Sequence, residues 1–502
     1  MPNVQPSVIS RPTPETQPGP GLPARWGYSA YAAACWQQRL ARLNGLWDQL
    51  TTPRLPVLIA CPSLAALWGR LATLASSHLL PLAAATALTA TLLVSPSAAR
   101  ADEPFQPSVE FRINNFTNGV QSRPSVARDA AGNFVVAWQT ANQDGSGSAI
   151  YRHRLNTGGA FFPGGPNLVN TFTTNDQSRP SVAMDTDGDF VVVWDSYGQD
   201  GGVTGVYGQR YNTAGVPQGS EFRANNHTTG NQDFAKVALD ADGDFVVAWE
   251  SYLQDGSGDG VYARRYNAAG VAQGNEFRVN TTTTSDQAKP SLALDAAGNF
   301  VVVWQSSGQD GSNAGIYGQR YTAAGVAQGS EFRVNTTTAN GQIFPSVAMD
   351  SDGDFVVVWQ SFEQDGSGYG VYVQRYNAAG APQGAEFRAN TYTSGSQRNP
   401  SVAMDADGDF VVVWQSFGQD GDEYGVYGQA FRASGAPLGS EFQVNTYTTE
   451  AQLLPQVSMD ADGDFVVVWQ SYGQDGSQEG VYARRYTAQS MSSVYIPLVL
   501  KN

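Results

Sequence analysis

From about residue 120 onward, short runs that are apolar at every position alternate with stretches of glycine, asparagine, aspartate and threonine, and the alternation has a fixed period. In the run Phe190-Val191-Val192-Val193-Trp194, Phe190, Val192 and Trp194 point to one face of a strand while Val191 and Val193 point to the other. Both faces are apolar, so such a strand needs cover from both sides, each large side chain being worth roughly 1.5–3 kcal/mol when buried. The tryptophans that end these runs are Trp138, Trp194, Trp249, Trp304, Trp359, Trp414 and Trp469, spaced 56 residues once and 55 thereafter. Around each, the same order recurs. A small-residue run such as Ser181-Val182-Ala183 is followed by a turn such as Ala406-Asp407-Gly408 and then the Phe-to-Trp run. A Gly-rich loop with Gln-Asp-Gly follows, then a run like Val371-Tyr372-Val373-Gln374-Arg375-Tyr376, a turn such as Asn377-Ala378-Ala379-Gly380, and Glu-Phe-Arg-Val-Asn.

Four short strands joined by turn residues make one antiparallel meander. Meanders stacked face to face around an axis give each blade two neighbours and cover both faces of every valine run. The expected fold is therefore all-β: a seven-bladed β-propeller of four-stranded antiparallel blades over residues 106–489, with the small first strand of each blade innermost. The fourth-strand motif appears before the first full unit, as Glu110-Phe111-Arg112-Ile113-Asn114, while the last unit stops after its third strand at Tyr486. The ring is thus expected to be closed by the N-terminal strand, which removes an exposed edge. The strand-like tail Ser493–Leu500 competes for that edge but lacks the motif.

Ahead of the repeats, residues 1–77 read as a disordered or mis-started extension, because their Pro, Gly and polar residues give no periodic apolar pattern. Residues 78–101 read as an export signal: Leu79 to Val94 is almost wholly apolar and Ser97-Ala98-Ala99-Arg100-Ala101 suits cleavage after Ala101, with an uncleaved anchor as the rival. The expected location is secreted or cell-surface, with membrane contact only through that segment. The first 101 residues hold 7 of the 29 basic and 2 of the 45 acidic residues, so removing them takes the net charge from -16 to -21. Such a field repels nucleic acid. Cys35 and Cys61 also lie in that segment, so the exported part has no cysteine chemistry. A monomer is expected.

The stretch Asp407-Gly408-Asp409-Phe410-Val411-Val412-Val413-Trp414-Gln415-Ser416, followed by Gly418-Gln419-Asp420-Gly421, resembles a repeat of large secreted bacterial surface proteins. That resemblance covers roughly residues 106–489 and implies a propeller, mostly without an assigned activity. The ending Val494 to Asn502 is similar to a short C-terminal tail of some exported bacterial proteins, and residues 490–502 are read as a sorting or anchoring segment.

Three sets of residues are candidates for chemistry. Asp185, Asp187 and Asp189, with Asp405, Asp407 and Asp409, cluster carboxylates as a calcium site would, but glycine comes fourth and position twelve from Asp405 is Ser416. Tight-turn chemistry explains the same residues better, so no cofactor is expected, with calcium as the alternative. The Gln-Asp-Gly loops place Asp200, Asp255, Asp310, Asp365, Asp420 and Asp475 once per unit on one face, beside Tyr197, Tyr252, Phe362, Phe417 and Tyr472, whose rings suit stacking on a sugar. Arg210, Arg265, Arg320, Arg375 and Arg485 end the third strand and are expected to pair across the sheet with glutamates such as Glu221 and Glu276.

Catalytic signatures are missing: after the signal only His153 and His227 remain among the histidines, there is no Gly-x-Ser-x-Gly elbow, and no carboxylate pair stands apart from the repeat. The expected function is a non-catalytic, exported scaffold that binds an extracellular glycan or protein through its loop face. The alternatives are a purely structural surface module and a calcium-stabilised propeller, and enzyme activity is not expected.

Overall fold

A computed structural model describes residues 104–489. The extension, the signal-like segment and the tail from residue 490 lie outside the described residues. Within them the chain forms seven antiparallel sheets, six of four strands and one of five, arranged as the blades of a β-propeller. Blade 3 is typical: Gln232–Leu239, Phe245–Tyr252, Asp259–Tyr266 and Phe277–Arg278 pair in sequence order. The first strands of successive blades pack against one another around the axis.

The two-faced valine strand divides its side chains between two cores. Phe190, Val192 and Trp194 pack with Val135, Ala137 and Ile150 of blade 1, whereas Val191 and Val193 pack with Phe245, Val247 and Trp249 of blade 3. All seven tryptophans are at most 1% exposed, which fixes them as packing between blades. The fourth-strand phenylalanine extends six of the seven cores: Phe222 of blade 2 stands 6.0 Å from Phe245 and 5.3 Å from Tyr266 of blade 3. Gly208 makes room for it, since a Cβ there would lie 2.6 Å from Phe222 Cζ.

Closure follows the predicted route. Phe105–Pro107 and Phe111–Arg112 pair antiparallel with Glu479–Ala488, the third strand of blade 7. Val481 donates its N–H to Asn114 Oδ1 at 2.8 Å, the same bond that Val206 makes to Asn225 in blade 2. Ile113 joins Val466, Val468, Phe134 and Trp138 in a core spanning blades 7 and 1, so the closing seam is built like the others.

Charged side chains knit the blades together, but not in the expected pairs. Arg265 donates to the Ala323 carbonyl of the next blade at 2.6 Å, and Arg320 reaches Ala379 in the same way. Glu331 instead accepts from Thr281 N at 2.6 Å, Thr281 Oγ1 at 2.8 Å and Gln309 Nε2 at 2.6 Å. Glu221 and Glu276 are used alike. The expected Arg–Glu cross-strand pairs are therefore replaced by contacts between blades, because each guanidinium points along the ring toward turn carbonyls that need a donor.

Candidate functional site

The axial opening at which first strands begin and second strands end is called here the mouth. The Gln-Asp-Gly loops lie on this face and their aspartates are held by backbone and side-chain donors. Asp200 Oδ1 accepts from Gly202 N at 2.9 Å and Oδ2 from Asn225 Nδ2 at 3.3 Å. Asp255 and Asp420 accept from Asn280 and Asn445 in the same way, and Asp310, Asp365 and Asp475 close the same turns. Asn225 Nδ2 also contacts Gln232 Oε1, so these aspartates belong to a network fastening one blade to the next. On the same face Tyr197 is 50% exposed, Tyr252, Phe417 and Tyr472 are similarly open, and Phe362 is half-buried with its ring 5.0 Å from Tyr369.

The aspartate-rich turns sit at the opposite end of the ring. Asp185 Oδ1 accepts from Asp187 N at 3.0 Å and Asp189 N at 2.9 Å, while Asp189 Oδ1 accepts from Thr213 N at 2.7 Å. Asp405, Asp407 and Asp409 repeat this pattern, and Gly408 supplies the φ of +80° that the turn requires. Burial pushes Asp405 up to about 6. Among the described residues no three His, Cys, Asp or Glu side chains are grouped to hold a metal ion.

A different set of residues marks the mouth, and it emerges where the repeats disagree. The third residue of each first strand is Arg123, Arg179, Phe234, Lys289, Phe344, Asn399 or Leu454, and all seven adopt φ between 51° and 55°. A β-bulge at this point shifts the register of every blade, as between Asp233 and Lys236 in blade 3. Left-handed backbone is costly for such side chains, and bulges re-aim side chains next to functional sites. The residue after each tryptophan holds the bulge by accepting its N–H across the blade boundary: Gln360 accepts from Asn399 at 2.8 Å, and Gln415 from Leu454 at 3.0 Å.

That accepting residue is glutamine in five blades and a carboxylate in two, Asp195 and Glu250. Asp195 accepts from Phe234 N at 3.2 Å, and Glu250 accepts from Lys289 N at 2.5 Å. In blade 3 the substitution has a further consequence, since Asp233 lies directly opposite Glu250 in the strand pairing. The other blades place Ser122, Ser178, Ala288, Ile343, Arg398 or Leu453 at that point. Like charges directly opposite on paired strands repel, at an ordinary Cβ separation of about 4.5–5.5 Å.

Cations gather around this pair. Arg179 Nη1 lies 2.8 Å from Asp195 Oδ2 and 3.4 Å from Asp233 Oδ2, and Lys289 Nζ lies 3.4 Å from Glu250 Oε1. The Arg179 guanidinium and the Lys289 ammonium both face the Phe234 ring, 4.0 and 2.8 Å from its centre. The Asp195 side chain is 0% exposed, Glu250 4% and Asp233 15%. Burial, then the nearby Asp195 charge, pushes Asp233 up to about 6. Burial outweighs the Lys289 ammonium and, with Asp233, pushes Glu250 up to about 8.

A cavity of about 760 Å³ lies elsewhere, on the rim between blades 1 and 2. It opens where Arg152 stands at a position that is glycine, alanine or valine in the other blades and Asn167 takes the place of the fourth-strand phenylalanine. Arg152 is already engaged there, 4.1 Å from the centre of the Tyr211 ring and 2.7 Å from Gly215 O. The mouth, with its strained backbone and shifted carboxyls, is the stronger candidate.

No family model and no curated protein matches the chain. Solved structures that it resembles include a protein of unknown function from Dyadobacter fermentans, at 11% identity over 77% of this chain and 100% of that one, with a TM-score of 0.49. An α-L-arabinanase from Penicillium chrysogenum, complexed with arabinobiose, matches at 12% identity over 76% of this chain and 98% of that one, TM-score 0.44. An α-L-arabinofuranosidase from Fusarium graminearum matches at 10% identity over 76% and 98%, TM-score 0.42. At such identities the likeness concerns the fold alone. Several of the matching structures are glycoside hydrolases and one is a sialidase, which runs against the expectation of a non-catalytic scaffold. The mouth also holds the carboxyl pair, Asp233 and Glu250, whose supposed absence had argued against an enzyme.

Proposed function

We propose that this chain cleaves a glycan by acid–base chemistry at the mouth of the ring, around blades 2 to 4. The observation that carries this reading is the register pairing of Asp233 with Glu250, which sets two acids face to face in one blade out of seven. Two carboxyls held this closely cannot both ionise at modest pH, so one keeps a proton while the other is charged. Glycoside hydrolysis needs that division: an acid to protonate the leaving oxygen and a carboxylate to attack or stabilise the anomeric centre, the two about 5–5.5 Å apart in retaining enzymes. Glu250, pushed up to about 8, is the proton donor, and Asp233, pushed up to about 6 and the more accessible of the two, bears on the anomeric carbon. Asp195, 2.8 Å from Arg179 Nη1, stands behind Asp233 and fastens the Phe234 bulge.

The exposed rings of Tyr197, Tyr252, Phe417 and Tyr472 share this face and suit further sugar units of a chain-like substrate. The signal-like segment at 78–101 supports action on an extracellular glycan. The test is release of reducing ends from a panel of polysaccharides and aryl glycosides by the purified chain. Turnover is expected to follow a bell-shaped pH profile with limbs near 6 and 8, and to fall at least about 100-fold in Asp233→Asn and Glu250→Gln. Turnover that survives both substitutions, or none on any substrate, overturns the proposal.

A further inference from the structure

One more departure from the repeat sits beside the carboxyl pair. The fifth residue of the first strand is Ser125, Ser181, Ser291, Ser346 or Ser401 in five blades, and its hydroxyl accepts an N–H from the next blade's first strand. In blade 3 the position is Lys236, whose ammonium has no lone pair to accept that N–H and which is half-buried. It lies one residue beyond Ala235, whose N–H donates to Asp195 Oδ1 at 3.3 Å, and within the electrostatic reach of Asp195, Lys289 and Arg123. Four consecutive blades thus each send one cation toward the axis: Arg123, Arg179, Lys236 and Lys289.

Three of these cations already face acids: Arg179 meets Asp195 and Asp233, Lys289 meets Glu250, and Arg123 lies near Glu479. Among the described residues no carboxylate stands within 4.0 Å of Lys236. Burial presses its ammonium below the ordinary lysine value against the pull of Asp195. A half-buried cation with no carboxylate beside it, set where the repeat offers serine, gains a full partner when an anion arrives.

Resting on the hydrolase reading above, we propose that the substrate is an acidic saccharide, one whose ring bears an anionic substituent that pairs with Lys236. A neutral sugar offers that ammonium only uncharged hydroxyl acceptors, whereas a uronate carboxylate or a sulfate ester gives it a charge-assisted hydrogen bond.

The experiment measures binding of digalacturonate, a sulfated disaccharide and neutral digalactose by calorimetry on the purified chain, with turnover followed separately. Wild type is expected to bind at least one acidic sugar about 10- to 100-fold more tightly than the neutral one. Lys236→Ser, which installs the residue that five other blades use, should erase that preference, while Lys236→Arg keeps most of it. Equal affinity for acidic and neutral sugars, or an undiminished preference in Lys236→Ser, overturns the inference. Cleavage of neutral glycosides with no preference for acidic ones defeats this inference and leaves the hydrolase reading standing. Binding of digalacturonate through Lys236 without any cleavage does the reverse.

Discussion

Replacing Glu250 by glutamine makes the sharpest test of the mouth, because it separates stability from chemistry. Five blades already carry glutamine at this position, and Gln360 shows that the amide oxygen can hold the next blade's bulge, accepting from Asn399 N at 2.8 Å. Packing should therefore be preserved. The carboxyl of Glu250 titrates near 4.5 when unperturbed and is pushed up to about 8 in the folded protein, mainly by burial. A raised carboxyl leaves the native state holding a proton that the unfolded chain has released. Its contribution to stability is therefore full below about 4.5, falls as pH rises, and is lost by about 8.

At pH 7 the loss spans about 2.5 pH units, or roughly 3 kcal/mol at 1.36 kcal/mol per unit. Glu250→Gln escapes it. For a ring of this length that corresponds to a melting temperature higher than wild type by about 4 °C at pH 7, shrinking toward zero at pH 4. Thermal melts of both proteins between pH 4 and 8.5 give the comparison, with glycoside turnover measured in parallel. A variant that is more stable yet inactive is what a functional pair held at the expense of stability predicts. A melting difference that does not change with pH, or a variant less stable than wild type at pH 7, would refute the argument.

Other substitutions probe the scaffold around the mouth. Arg179→Met leaves the fully buried Asp195 carboxylate without its guanidinium and should cost about 3–5 kcal/mol in a denaturant titration, most of it recovered by adding Asp195→Asn. Trp304→Ala empties a fully buried site between blades 3 and 4 and should cost about 3–5 kcal/mol by the same titration, with fluorescence of the remaining tryptophans reporting the transition. Deleting residues 104–113 removes both strands that pair with Glu479–Ala488 and should convert a single species into concentration-dependent oligomers on size-exclusion chromatography.

Much of the architecture was legible in the chain because it rests on local, repeated chemistry. Valine runs oily on both faces demand two neighbours, and the 55-residue spacing of the tryptophans counts the blades. The stray Glu110–Asn114 motif named the closing strand, and the bonds of Asn114 to Val481 and of Glu110 to Thr446 repeat what the motif does elsewhere. The arginine and glutamate series was read as cross-strand pairing, yet the structure spends both on neighbouring blades, a relation no single repeat contains.

The mouth was harder to see, since attention to what the repeats share passes over the places where one copy differs. Asp195, Asp233, Lys236 and Glu250 are visible as departures once the copies are laid against one another. What sequence spacing does not disclose is that Asp233 and Glu250, seventeen positions apart, become direct cross-strand partners, or that Arg179 and Lys289 of separate blades meet over Phe234. Hydrophobic patterning is set by each residue and its near neighbours, so the blades, their number and their order follow from the chain's local chemistry. Charge burial and pairing depend on which side chains the closed ring brings to one point, and that follows from the assembled fold.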